Sequence, residues 1–451
     1  VANGFIIAAT KSGSGKTLLT LGLMAALVRR GLRVQAFKCG PDFIDPTLHK
    51  MVVGTTSRNL DLFMMGAACC QETFARFSDG NDVLVVEGVM GLFDGGESST
   101  AALAKVLNLP VLLIVDARSA AESVAAVLKG FEVFDPTLRL CGVILNQTGS
   151  ERHVSLIKEA MASSCTTPFL GAFPRNPDFA MAERHLGLHM GEEQPLAAGH
   201  IAGLAEAIEK HINIDALLQS TDRTAAPSTS GIEVVKPAQR LRLAVARDAA
   251  FCFYYEDNFD IFAAVGFDLA YFSPLTDAAL PEETDAVYIG GGYPELHAAE
   301  LSANGSMRVS LQKWVEEGGV LYCECGGLMY MSRNFADLET RVYPMVGVFP
   351  LQMVMKKRLS RLGYRTVTLL QDCFLGKKDD RLYGHEFHYS EISGETGVAQ
   401  CLYLLEDGRY EGYTKNNAIG SYVHLHFGRT VANVASIFQS ACKRREKGVR
   451  F

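Results

Sequence analysis

The chain has 451 residues, 48% of them hydrophobic and 21% charged, with a formal net charge of −7. That length predicts roughly two or three domains, and the negative balance argues against a nucleic-acid partner, whose affinity rests on clustered Lys and Arg. No apolar run reaches the roughly 20 residues of a membrane helix, no signal peptide is expected ahead of the first strand, and eleven scattered cysteines without a CxxC pair predict a reduced, cytoplasmic protein.

Along the first half, short apolar runs alternate with amphipathic stretches. Strands are expected at Gly4–Ala9, Arg33–Phe37, Asp82–Glu87, Pro110–Asp116, Leu140–Asn146 and Pro168–Phe173, with helices at Lys16–Arg30, Ala120–Phe131 and Glu151–Ser163. Continuous Val, Ile and Leu runs between helices predict an α/β fold whose parallel sheet is covered on both faces. Thr221–Pro237, rich in Ser, Thr, Ala and Pro, breaks the rhythm and reads as a linker. The expected division is therefore a domain over 1–220, a linker over 221–239 and a second α/β domain over 240–451. In the latter, strands are expected at Leu241–Arg247, Asp268–Phe272, Ala286–Ile289, Val320–Cys323 and Gly420–Phe427, a helix at Gly305–Glu317, and a basic helix at the C-terminus.

Residues 9–17 read ATKSGSGKT between a strand and a helix. Small residues there let backbone N–H groups turn toward phosphate oxygens, and the helix N-terminus adds its positive dipole end. Lys16 would reach the β/γ-phosphates, Thr17 would ligate Mg²⁺, and Gly13, Ser14 and Gly15 would line the cradle. Thr10 replaces the usual first glycine, while Lys11 stands five residues before Lys16 as a second cation. Carboxylates at the ends of neighbouring strands face the same crevice: Glu87 ends VLVVEG, Asp94 follows in GLFDG, and Asp42 and Asp45 lie in KCGPDFID. Asn146 closes GVILN and either reads the adenine edge through its amide or makes a turn. Pro174 and Arg175, in GAFPR after the next strand, are expected on the same ATP side.

In the second domain, VLYCECGGL resembles a nucleophile elbow. A sharp turn would expose the Cys325 thiol near a helix N-terminus, which is expected to lower its pKa; Cys323 is expected either to point from the strand into the core or to supply the bend. About a hundred residues on, GSYVHLHF offers His424 as the base. Gly291 and Gly292, in GGGYPE, and Gly326 supply candidate oxyanion donors. His385 and His388 read as structural or substrate-facing.

These motifs resemble the cobyrinate a,c-diamide synthase family over nearly the whole chain. The likeness rests on ATKSGSGKT, FKCGPDFIDP, EGVMGLFDG, GVILN, ERHLGL, VARDAAFCFYYEDN, GGGYPELHA, ECGGLMYM, LGYR, GHEFHYSE and SYVHLHF. It implies an N-terminal half similar to dethiobiotin synthetase and a C-terminal half similar to class I glutamine amidotransferases. ATP would phosphorylate a corrin carboxylate, and ammonia from L-glutamine would displace the phosphate, at the a- and c-acetates in turn. Cys325 and His424 would then be the glutaminase pair. Lys11 and Gly13–Thr17 would hold ATP, with Thr17, Asp42 and Glu87 at Mg²⁺ and Asp45 and Asp94 toward the substrate carboxylate. Class I amidotransferases commonly carry glutamate two residues after the histidine; here that residue is His426, and Glu386 is a conceivable substitute. Hydrogenobyrinate and nickel-sirohydrochlorin are alternative substrates, a homodimer is one admissible assembly, and a nucleotide-switched binding protein with an inactive second domain is the rival reading.

Overall fold

Apolar runs with no polar interruption cannot leave a face in water, and in the first unit they form seven parallel strands between two helical layers. The computed structural model describes residues 2–176, 179, 197–221, 239–393 and 400–446, with backbone pairing also at 183–184, 187–188 and 223–224. It falls into two units, Val1–Gly231 and Ile232–Phe451. Most of the expected linker (222–238, apart from that pairing) and residues 185–186 of the ERHLGL stretch lie outside the described residues. Among the described residues no helix is long and apolar enough to cross a membrane.

The strands of the first unit are β1 (Ala2–Ala9), β2 (Val34–Cys39), β3 (Arg58–Leu60), β4 (Val83–Glu87), β5 (Val111–Asp116), β6 (Leu140–Thr148) and β7 (Phe169–Pro174). They lie in the order β3-β2-β4-β1-β5-β6-β7. Helices α1 (Lys16–Arg29), α2 (Asp45–Val53), α7 (Ala198–His211) and α8 (Ile214–Ser220) cover one face; α3 (Gly66–Ser78), α4 (Thr100–Leu107), α5 (Ser123–Phe134) and α6 (Glu151–Ser164) cover the other. Alternation along β1 shows the division: Phe5, Ile7 and Ala9 join the first layer, Ile6 and Ala8 the second. Order reverses around β1, so the carboxyl ends of β1, β2 and β4 open on one crevice. Helix α5 starts three residues later than expected because Ser119 is left-handed (φ 56°), and it runs on to Asp135, whose helical continuation Pro136 disfavours.

The second unit contains β8 (Leu241–Ala246), β9 (Phe267–Phe272), β10 (Ala286–Ile289), β11 (Val320–Glu324), β12 (Ser332–Ala336), β13 (Val342–Pro344), β14 (Phe349–Met355), β15 (Arg361–Leu369), β16 (Arg381–His388), β17 (Ser390–Ser393), β18 (Gln400–Leu405), β19 (Tyr410–Lys415), β20 (Ala418–Ser421) and β21 (His424–Leu425). Its helices are α9 (Glu256–Val265), α10 (Ala298–Ala303), α11 (Gly305–Glu316), α12 (Gly326–Met331) and the basic-ended α13 (Val431–Glu446). One ten-stranded sheet runs β9-β8-β10-β11-β20-β19-β18-β15-β16-β21, parallel through β20 and antiparallel beyond; a smaller sheet runs β13-β12-β14-β17. The expected single strand Gly420–Phe427 is two. Ser421 Oγ accepts from Val423 N–H at 2.9 Å, and Glu411 holds the Tyr422 N–H at 2.7 Å, so the chain turns after β20 and enters β21 beside β16.

Candidate active site

At the crevice of the first unit, Gly13 and Gly15 take positive φ (74° and 81°), the conformation that lets the loop fold back over α1. Asn146 supports the loop from below: its Nδ2 donates to Ser14 O at 2.7 Å, and a Cβ on Gly15 would collide with that amide. Lys16 Nζ donates to Met90 O at 3.1 Å, and Lys11 lies 3.8 Å from Asp116. Thr17 Oγ1 donates to Glu87 Oε1 at 2.7 Å, with Asp45 Oδ2 at 3.4 Å. Asp42 turns Oδ1 to the Ile44 and Asp45 amides, and its Oδ2 lies 3.5 Å from Lys38 Nζ. Asp94 stays within its own loop, accepting from Gly91 N–H at 2.9 Å, and Arg175 N–H bonds Thr148 O. Thus Thr17, Asp45 and Glu87 converge, Asp42 joins them through Lys38, and Lys16 reaches the loop that carries Asp94.

Lys38 and His49, which the motifs do not single out, complete this cluster. The buried Lys38 ammonium contacts Asp45 and lies 3.2 Å from Glu87; His49 Nε2 lies 2.7 Å from Glu87 Oε2, and its Nδ1 3.0 Å from Ser57 Oγ. Burial pulls Lys38 down, but Asp45, Glu87 and Asp42 push it well above its usual value. Burial, with Asp42 and Glu87 alongside, raises Asp45 against the pull of Lys38. For Glu87, Lys38, His49 and Lys16 outweigh burial and hold the carboxyl well below the usual range. Burial and the neighbouring Lys38 lower Lys16. The Thr17 hydroxyl with the Glu87 and Asp45 oxygens is a hard donor set that fits a small divalent cation beside phosphate. A lone charged residue inside an otherwise uncharged strand was the available signal for Lys38, since such a residue is buried only when paired.

In the second unit, Cys325 sits between β11 and α12 at φ 47° and ψ −102°, a strained non-glycine conformation typical of a nucleophile elbow. Its N–H donates to Ser421 O at 2.7 Å, and Sγ lies 4.0 Å from Phe387 O. A Cβ on Gly326 would come within 3.2 Å of Gly292 N, and one on Gly291 would strike the His424 ring. The loop carrying Gly291 and Gly292 therefore meets both Gly326 and His424. The expectation of a lowered thiol pKa is reversed. Burial, with Glu295, Glu324 and Glu386, pushes the Cys325 thiol far up against the pull of the Gly326 amide, so the resting sulfur is protonated and needs a base. His424 suits that role, because burial and the neighbouring His385 and His388 keep its ring neutral.

His385 stacks on His424 with centroids 5.0 Å apart and meets the Tyr255 hydroxyl at 3.0 Å; His388 stacks on Tyr422 at 3.7 Å. Glu386 is held by Arg365 at 2.6 Å and Arg409 at 2.8 Å. The Glu324 carboxylate, by contrast, lies 3.9 Å from His424 Nδ1. A cavity of about 570 Å³ beside Tyr422 and His388 is lined by Arg361, Arg409, Glu391 and Glu411, charges of both signs. All eleven cysteines are free thiols.

Comparison with known proteins covers both units. Residues 5–188 match the CobQ/CobB/MinD/ParA nucleotide binding domain, and residues 242–431 match the CobB/CobQ-like glutamine amidotransferase domain. The cobyrinate a,c-diamide synthase of Listeria monocytogenes is 41% identical over 448 residues, spanning 97% of this chain and 99% of the relative. That of Dehalococcoides mccartyi is 42% identical over 441 residues (94% and 95%), and that of Salmonella typhimurium 40% over 441 residues (95% of each).

Proposed function

The chain belongs to the cobyrinate a,c-diamide synthase family, and from that premise we propose that it amidates the a- and c-acetate carboxylates of cobyrinate with ATP and glutamine, a step toward cobalamin. It is an amide-forming ligase with a nucleotide-binding and a glutamine amidotransferase domain. We assign the synthetase domain to 1–220, the linker to 221–239 and the glutaminase domain to 240–451. The free thiols fit a cytoplasmic setting.

In the first domain a corrin carboxylate, itself a poor electrophile, takes the γ-phosphoryl group of ATP and becomes an acyl phosphate. Lys11, Lys16 and the Gly13–Gly15 backbone hold the phosphates, with Asn146, Pro174 and Arg175 on the nucleotide side. Thr17 and Glu87, with Asp42 and Asp45 nearby, would hold Mg²⁺, which supplies positive charge to the phosphate oxygens when bound. Asp45 and Asp94 stand toward the substrate carboxylate. In the second domain the Cys325 thiol gives its proton to His424, and the sulfur attacks the glutamine carboxamide carbon. Amides at Gly291, Gly292 and Gly326 stabilise the oxyanion. His424 returns the proton to the departing ammonia, and water cleaves the thioester to glutamate. Ammonia then displaces phosphate from the acyl phosphate to leave the amide. The zwitterionic end of glutamine suits the cavity that offers Arg361 and Arg409 beside Glu391.

The observation that carries this reading is the strained Cys325 elbow with a neutral histidine base, in a chain whose other unit pairs a phosphate loop with a buried acid cluster. The test is Cys325→Ser with either nitrogen donor, counting amides by mass spectrometry. Glutamine-dependent amidation should vanish while ammonia-dependent amidation persists; parental use of glutamine would refute the assignment.

A further inference from the structure

Glu324 ends β11, immediately before the nucleophile, and shares a sheet face with Tyr322. Its carboxylate is buried among three neutral donors. Oε1 accepts from Tyr322 OH at 2.6 Å and from Leu425 N–H at 2.8 Å, and Oε2 accepts from Tyr288 OH at 2.8 Å. Leu425 follows His424 directly, so this one side chain holds the backbone of the histidine strand while its Oε2 lies 3.9 Å from His424 Nδ1. The other acids and bases nearby have different partners. Glu386 is taken by two arginines. His426 is buried and its Nδ1 accepts from Gly428 N–H at 3.1 Å.

We infer that Glu324 is the positioning carboxylate of the Cys325–His424 pair. It keeps the His424 proton on Nδ1, leaves Nε2 to take the thiol proton, and stabilises the imidazolium that results. The inference rests on the glutaminase reading of this domain. The electrostatics agree with it. His424 is held neutral by burial and by His385 and His388, so an imidazolium there needs a counter-charge, and the Glu324 carboxylate lies 3.9 Å from its Nδ1. Burial lifts the Glu324 carboxyl to about 7 against its three donors, so its charge is gained within the working pH range. The groups around it are Tyr288 on β10, Tyr322 and Cys323 on its own strand, Cys325 at the elbow, Tyr403 on β18, His424 on β21, and Tyr254, which feels the same charge. His424 in turn faces His385 and His388 from β16.

The experiment is the pH profile of glutaminase kcat/KM in the full chain for Glu324→Gln, with Cys325→Ser and ammonia-dependent amidation measured in parallel. Glu324→Gln should lower glutamine kcat by about 10²-fold or more, with KM little changed. It should move the acid limb to lower pH, because the imidazolium loses its counter-charge, and leave ammonia-dependent amidation intact. Glu324→Asp should restore part of the rate. If Glu324→Gln fails to fold, Tyr288→Phe reads the same contact: removing the hydroxyl that shares Oε2 should move the acid limb to higher pH. An unmoved acid limb in the folded variant, or a parental glutamine rate, overturns the inference. Glutamine use surviving in Cys325→Ser would instead overturn the glutaminase reading itself.

Discussion

Gly291 offers a probe of how closely the glutaminase geometry is held. Its backbone is outside the positive-φ region, so alanine adds no strain to the main chain. The added methyl, however, would overlap His424 Cε1 and stand 3.3 Å from Nε2 and 3.4 Å from Nδ1. The ring is buried and stacked on His385, so it cannot swing into solvent. Restoring ordinary contact therefore displaces it by about 1 Å, a misplacement that typically costs about 10²-fold in rate, or about 2.7 kcal/mol of barrier. Overpacking should also cost about 1–3 kcal/mol of stability. The assay is amide formation by Gly291→Ala at saturating ATP and corrin, with glutamine or ammonia as donor. Glutamine turnover should fall about a hundredfold and ammonia turnover should hold. Parental glutamine kcat, or an equal loss with both donors, would refute the placement of His424 against this loop.

Lys16→Ala removes the cation expected at the γ-phosphate and should depress amidation with either donor by about 10²-fold or more, leaving glutamine hydrolysis in place; donor-dependent loss would contradict it. Lys38→Met strips the ammonium from Asp45 and Glu87, both buried, and should cost about 3–5 kcal/mol in urea unfolding; an unchanged midpoint would mean that the cluster neutralises itself by taking up protons. Burial lifts the Glu411 carboxyl from 4.5 to about 7, so between those values the folded state binds a proton that the unfolded state does not. Its contribution to stability is full below about 4.5 and is lost as pH rises through about 7. Glu411→Gln should thus gain on the parent in urea midpoint across that window, and a flat difference would exclude the shift.

The chain's local chemistry was legible without coordinates. Phosphate loops and buried parallel strands are written in contiguous residues, which is why β1, β4 and β5 lie within two residues of their expected bounds. The cysteine elbow was legible for the same reason: its strand, turn and helix are neighbours in sequence. Even so, the reading missed the direction of the thiol shift, because burial and the carboxylates of Glu295 and Glu386 come from distant segments. The antiparallel half of the second unit was also missed. Its strands mix exposed and buried positions without a clean alternation, and their pairing depends on register between segments that are not neighbours in sequence.

Within the candidate site, sequence supplied the residue types and tertiary structure supplied the partners. His424 is carried back toward the elbow side of the sheet by β20, which lies beside β11 with Ser421 opposite Glu324 and sends the chain back along β16. Glu324 was in plain view one residue before the nucleophile, yet nothing local says which way an acid on a buried strand must face. Lys38 and Asp45 likewise come from one segment and Glu87 from another, and they share one charge cluster only after β2 and β4 pair. Local periodicity and turn chemistry are short-range properties of the chain. Which buried charge compensates which is a long-range property, fixed by strand order, because an ion taken out of water is tolerated only where the fold brings its partner.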